Sequence, residues 1–249
     1  MKYLEMRPHQ VREAIEKNVP VLLPLGVIEY HGEHLPLGVD AFVAIEIINR
    51  VEKRHPEIVV LPPFYYGAAS YAVAVPEGRG SIQVDAEKLI PVAEEIFHSL
   101  LRVGFRNIHA LIAHQTEEFE QGMPTDLAFR FAGRHVIFNW LEKNTGEGWW
   151  GTEKFSDYYS GDNNPFNWIR IHGPRLLKEE ERQRFPGDHA GKSETSEAMK
   201  MYPECVDMSR LDNSLWFCRP AKDATPEFGD DLLEACSRGL EYDLYGKQD

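Results

Sequence analysis

Cysteine is scarce: only Cys205, Cys218 and Cys236 occur in 249 residues. They are odd in number and lack CxxC spacing, which argues against a disulfide framework and a zinc ribbon and leaves buried free thiols as the expectation. No apolar run approaches the roughly 18 residues that a membrane span needs. The first residues, Met-Lys-Tyr-Leu-Glu-Met-Arg, lack the apolar core of a secretory signal, so the expected location is the cytosol. Basic residues are outnumbered, 27 Lys and Arg against 40 Asp and Glu, which gives a net charge of −13. Such a chain is a poor general binder of phosphate backbones, so no nucleic-acid partner is expected. The same charge favours solubility and a small or neutral substrate, unless a local arginine reverses the field. No internal repeat or low-complexity tract interrupts it.

What is present is enough apolar residue, 43% of the chain, to fill one large α/β domain. Residues 8–17 have a helical pattern, and the apolar run 20–25, closed by Gly26, reads as a buried strand. A helix over 41–54 and a strand over 58–62 follow. Residues 85–103 form a long amphipathic helix with Asp85 as its cap and Gly104 as its stop. A strand over 107–113, further helix, and a strand at Val136-Ile-Phe-Asn complete the alternation. This βαβα order implies a single-domain, mostly parallel sheet with helices on both faces. Residues 140–186 break the rhythm with Gly, Asn, Asp and aromatics, and read as an excursion that covers a substrate or bridges subunits.

The chemistry concentrates at three points. After the first strand runs Gly26-Val-Ile-Glu29-Tyr-His31-Gly-Glu-His34-Leu-Pro-Leu-Gly-Val-Asp40. Glu29 and His31 are two apart, so an extended segment sends both side chains to one side. Asp40 stands at the start of the next helix, where it also suits a plain N-cap. Strand carboxyl ends are where open α/β sheets keep their sites, and a Glu-x-His pair with a nearby Asp suits a divalent metal. The second point is His114, at the carboxyl end of strand 107–113. His109 lies an odd number of residues away and so faces the other side. The third is Asp188-His189-Ala-Gly-Lys-Ser-Glu194. There Glu194 enters a first helical turn, which favours a carboxylate in any case, and His189 precedes it.

These segments resemble the creatininase (creatinine amidohydrolase) family. Its G-x-x-E-x-H-G-x-H-L-P-L-x-x-D pattern is matched from Gly26 to Asp40, and its H-A-G-x-x-E-T-S pattern from His189 to Ser196. The two matches lie in family order, and the resemblance covers most of the chain outside 140–185. It implies a hydrolase holding two divalent ions (zinc, manganese or iron) through Glu29, His31, Asp40, His114 and Glu194. Asp40 would be the bridging carboxylate and His189 the proton carrier. Paired ions in such a site share a hydroxide and polarise a substrate carbonyl. The resemblance further implies a closed homo-oligomer, a hexamer in family style, with a small-molecule substrate and no membrane partner.

The chain departs from the family where the substrate would lie. The glycine-rich stretch around the central histidine is replaced by Ile112-Ala-His114-Gln-Thr-Glu117. Thr116 stands where creatininase uses a glutamate, with Glu117 and Glu118 as substitutes or first-turn helix residues. The family's E-H-x-x-F-P-G-T is replaced by residues 71–80. Arg79, between Gly78 and Gly80, together with Tyr71 and Asp188, is therefore the candidate for substrate contact. The leading expectation is cleavage of an amide-type C–N bond in a small polar, cyclic or linear, molecule. Opening of a carbocyclic diketone such as 3-dehydro-scyllo-inosose at a C–C bond stays open beside it, as does a non-catalytic metal-binding scaffold.

Overall fold

The computed structural model describes residues 1–69, 78–114, 124–157, 164–173 and 176–246. Helix α1 (Pro8–Glu16) leads into strand β1 (Val21–Leu25), whose five residues are all buried. Helix α2 (Val39–Arg54) returns the chain to the short β2 (Val59–Val60). Helix α3 (Ala86–Val103) stops at Gly104, which takes the positive φ that closes a helix, and β3 (Ile108–Ile112) follows. Helix α4 (Thr125–Thr145) precedes β4 (Ile169–His172), and α5 (Glu179–Arg184), α6 (Lys192–Met201) and α7 (Pro226–Tyr245) complete the regular elements. The four strands form a parallel sheet in the order β2-β1-β3-β4.

Strand alternation distributes the core to both faces. Val21, Leu23, Leu25, Ile108, Ala110 and Ile112 point to α3 and α4, where Phe97 and Phe129 fill the layer. Leu22, Val60 and Leu111 point the other way, to α2 and α7, and meet Ile47, Ile48, Leu232 and Leu240. Apolar residues on both faces explain why these strands read as continuous hydrophobic runs.

One expected strand is wrong. Val136 to Asn139 lies inside α4, whose buried positions Phe129, Ala132, Val136, Ile137 and Leu141 repeat at helical spacing while Phe138 is exposed. Three apolar residues in a row fit either period when read alone; the longer window decides for helix. The fourth strand is instead Ile169-Arg-Ile-His172, inside the excursion expected at 140–186. It pairs with β3 from Ile108↔Ile169 to Leu111↔His172. Trp149, Phe155 and Phe166 of the same stretch pack into the α3–α4 layer.

The strand order positions the site. β1 has β2 on one side and β3 on the other, so the chain leaves β1 in one direction and later returns past it. Connections therefore diverge at the carboxyl ends of β1 and β3, which opens the crevice where α/β sheets bind ligands. The core below it rests on edge-to-face contacts of Phe129 with Phe64 and Phe97, at centroid distances of 5.6 and 5.9 Å. Truncating this fully buried ring, Phe129→Ala, should cost about 3–5 kcal/mol. Urea unfolding measures it, and a loss below about 1 kcal/mol would contradict this packing.

Candidate metal centre

The segment after β1 is held in register by its backbone. The Glu29 N–H donates to the Leu37 carbonyl at 3.0 Å, the Tyr30 N–H donates to Ser81 Oγ at 2.9 Å, and Ile28 bridges Ile82. Gly26 lets α2 approach, because a Cβ there would lie 2.5 Å from that of Ala41. The first turn of α2 thereby brings Asp40 beside Glu29 and His31. His114, just beyond β3, enters from the neighbouring strand end, and Glu194 from the first turn of α6. Exposure is 0% for Glu29 and His31, 2% for Asp40, and 8% for His114 and Glu194.

The sequence-predicted residues meet in one place. Asp40 Oδ2 lies 3.5 Å from both His31 Nε2 and His114 Nδ1. His31 Nε2 is also 3.4 Å from Glu194 Oε2, and His114 Nδ1 is 3.4 Å from Glu29 Oε2. The donors therefore fall into two triads, Glu29–Asp40–His114 and His31–Asp40–Glu194, with ligand atoms within 4.8 Å of one another in each. Asp40 belongs to both. A third grouping, Glu29–His31–His189, puts His189 over the same cluster.

The proton positions decide what the cluster needs. His31 Nδ1 lies 2.9 Å from the Glu29 carbonyl, which can only accept, so Nδ1 carries the hydrogen. Burial pushes this imidazole down to about 4, which keeps the ring neutral. Its Nε2 lone pair then faces two carboxylate oxygens. Burial likewise drives the Asp40 carboxyl upward, against the opposing pull of His31. His31 Nε2 and Asp40 Oδ2 make no hydrogen bond among the described residues. Lone pairs and carboxylates converging without hydrogens repel one another; cations between them reverse the sign. The donor set therefore fits divalent metal.

His189 leans over the cluster from a left-handed junction, with Ala190 at φ +52°. Its Nε2–H donates to the Tyr30 carbonyl at 3.0 Å, its Nδ1 is 3.9 Å from Glu29 Oε2, and its ring lies 4.5 Å from that of His31. Phe217 packs edge-on against it at 5.2 Å, and the largely exposed Trp216 packs on Phe217. The sequence reading missed these two aromatics, since nothing in the local pattern marks them beyond a run of large apolar residues. His34, to which the sequence pattern assigns no role, lies in a turn with its ring buried at 1% exposure.

Of the substrate candidates, the Arg79 guanidinium lies 4.6 Å above the Tyr30 ring. Tyr30 in turn donates its hydroxyl to Glu33, and burial with this acceptor pushes its phenol up to about 12. Asp188 is engaged at the start of α6, where it accepts from the Ser193 N–H at 2.7 Å and the Glu194 N–H at 3.3 Å. Tyr71, Thr116, Glu117 and Glu118 lie outside the described residues.

Comparison with known proteins settles the class. The family described as creatininase, creatinine amidohydrolase, matches residues 4–225. The chain belongs to the creatininase family. Family membership makes it a metal-dependent hydrolase. A creatinine amidohydrolase of Pseudomonas putida is 23% identical over 252 residues, spanning 88% of this chain and 86% of that protein. Among solved structures, manganese creatininase superposes with a TM-score of 0.68 at 22% identity, over 96% of this chain and 95% of that one. A creatininase variant of Zn-Zn type gives 0.68 at 21% identity, with the same two coverages. These likenesses show the fold. No helix among the described residues is long and apolar enough to cross a membrane.

His109 sits apart from the centre, on the α7 face of β3. It bonds His172 at 2.9 Å and Asn107 at 2.8 Å, and burial drives its imidazole well below the ordinary value of 6.5. A histidine kept neutral in the fold binds its proton only on unfolding. Stability is therefore lost as pH falls below about 6.5. His109→Gln should flatten this loss by up to about 1.4 kcal/mol per pH unit. Urea unfolding at pH 7 and pH 5.5 tests it, and equal pH slopes in variant and parent would refute the assignment.

Proposed function

We propose that this creatininase-family chain is a two-metal hydrolase that cleaves an amide-type C–N bond in a small polar, cyclic or linear, substrate. The observation that carries the reading is the position of Asp40 Oδ2, shared between two donor triads at 3.5 Å from a histidine in each. Glu29 and His114 would hold one ion, His31 and Glu194 the other, with Asp40 common to both. Two such ions would lower the pKa of water and draw electron density from a substrate carbonyl. Manganese and zinc both suit the mixed imidazole and carboxylate set, as the forms of the related creatininases illustrate.

The chain's own residues supply orientation and proton transfer. The Tyr30 carbonyl fixes the tautomer of His189 with Nε2–H outward and Nδ1 toward the cluster, which makes Nδ1 the atom that takes a proton and returns it to the leaving nitrogen. Phe217 holds the ring from its far side. Arg79, stacked on Tyr30, presents a cation to an electron-rich substrate group. Asp188, with both oxygens on the first amides of α6, serves substrate binding only indirectly, by keeping Glu194 in place. A closed homo-oligomer is part of the same reading.

Asp40→Ala should lose most of both metals while the sheet still folds; elemental analysis beside circular dichroism measures this. Undiminished metal in the folded variant would sink the shared-carboxylate assignment. His189→Gln should keep both ions yet lower turnover by roughly 10²–10⁴-fold, the usual contribution of a positioned acid–base group. Near-normal turnover in that metal-loaded variant would remove His189 from the chemistry. The substrate class is tested by assaying lactams, formamides and inosose-type ketones with the metal-loaded protein. Activity on the ketones alone would move the reaction to a C–C bond.

A further inference from the structure

Two residues of the paired sequence segments hold neither a metal nor a substrate in the reading above. His34 belongs to the first segment and Thr195 to the second, 161 positions later, and both are buried. His34 Nε2 lies 3.1 Å from Thr195 Oγ1. The Thr195 hydroxyl in turn reaches the Ala190 carbonyl at a long 3.5 Å, and the His34 ring faces that same carbonyl. With Oγ1–H given to the Ala190 carbonyl, which can only accept, Nε2–H is the donor to Oγ1. His34 Nδ1 is then unprotonated, in keeping with its lack of a hydrogen bond among the described residues. The ring fits only because position 32 is glycine at φ +77°, where a Cβ would stand 2.8 Å from Nδ1.

The end of this chain of bonds is a strained backbone residue. Ala190, at φ +52°, is in the left-handed region that side chains other than glycine avoid at a cost of order 1–3 kcal/mol. Its inverted peptide aims the Ala190 N–H at Glu194 Oε2, 2.6 Å away. Glu194 Oε2 is also the oxygen that faces His31 Nε2. The same inversion turns His189, the preceding residue, over the cluster. We propose that His34 and Thr195 form a clasp between the two segments. It holds Ala190 in its left-handed conformation and so aims Glu194 and His189; His34 and Thr195 are positioning residues. The metal consequence of this clasp rests on the two-metal reading; the backbone consequence does not.

The experiment compares the parent with Thr195→Val, which keeps the shape but removes the hydroxyl, Thr195→Ser, which keeps it, and Thr195→Val combined with Ala190→Gly. In metal-free protein, hydrogen exchange at the Ala190 amide should quicken about tenfold in Thr195→Val, as expected for one lost hydrogen bond, and stay at the parental rate in Thr195→Ser. In titrations with Mn²⁺, Thr195→Val should bind one of its two ions about 10–100-fold more weakly, the usual effect of losing a ligand's supporting partner. The other ion, at Glu29 and His114, should keep its affinity. Ala190→Gly should restore much of the loss, because glycine adopts the left-handed conformation without strain. Gly32→Ala, which displaces the ring, should reproduce the Thr195→Val pattern and serves if that variant fails to fold. Parental exchange at Ala190 in these variants would overturn the clasp. So would an equal loss of both ions that neither serine nor Ala190→Gly repairs. If the parent binds fewer than two Mn²⁺, the two-metal reading and the metal half of the proposal fall together, while the exchange result still decides the backbone half.

Discussion

Everything in this protein's crevice depends on the convergence of three carboxylates and two imidazoles in a volume that water scarcely reaches. Glu29, Asp40 and Glu194 are each less than a tenth exposed, and the nitrogen that His31 turns toward them has no hydrogen to offer. Two of the carboxylates sit in first helical turns, where the helix dipole contributes typically 0.3–1 kcal/mol each. Burial of an ion costs several kcal/mol. The dipoles thus offset only a part, and divalent cations are the counter-charge that matches the geometry. The hydrophobic layers on both sides of the sheet hold these groups in place.

The supports are local and of different kinds. Strand ends bring in Glu29, His31 and His114 from a rigid parallel sheet. The absence of a side chain at Gly26 lets the first turn of α2 close on β1, which delivers Asp40. The α6 side is set by Asp188 on the first amides of the helix and by the inverted peptide at Ala190. Two carboxylates, Asp40 and Glu194, thus arrive on helices, and Glu29 arrives with the imidazoles on loops or strand ends. A loop histidine can adjust its ring while the helical carboxylates stay fixed.

Much of this was legible in the residues. The runs 20–25 and 107–113 are apolar throughout because both faces of a parallel strand are covered, and their carboxyl ends pointed to Glu29, His31 and His114. Parity along the strand set His109 apart, and it lies on the α7 face of β3, while His114 lies past the strand end beside Asp40. What escaped reading has physical reasons. Val136 to Asn139 is too short to reveal its period, and the true fourth strand, Ile169 to His172, was hidden in a stretch dominated by turn-forming residues and aromatics. Asp188 looked like a ligand-facing acid, yet a carboxylate just upstream of a helix finds free amides first. His34 had no legible role because its partner, Thr195, is distant in sequence and adjacent only after folding.

The most direct test of the account is crystallographic. Crystals grown with Mn²⁺ and measured at the manganese absorption edge should show two anomalous peaks roughly 3.5–4 Å apart. They should straddle Asp40, one beside His31 and Glu194 and the other beside Glu29 and His114. A single peak, or peaks that leave the Asp40 carboxylate out of contact, would contradict it.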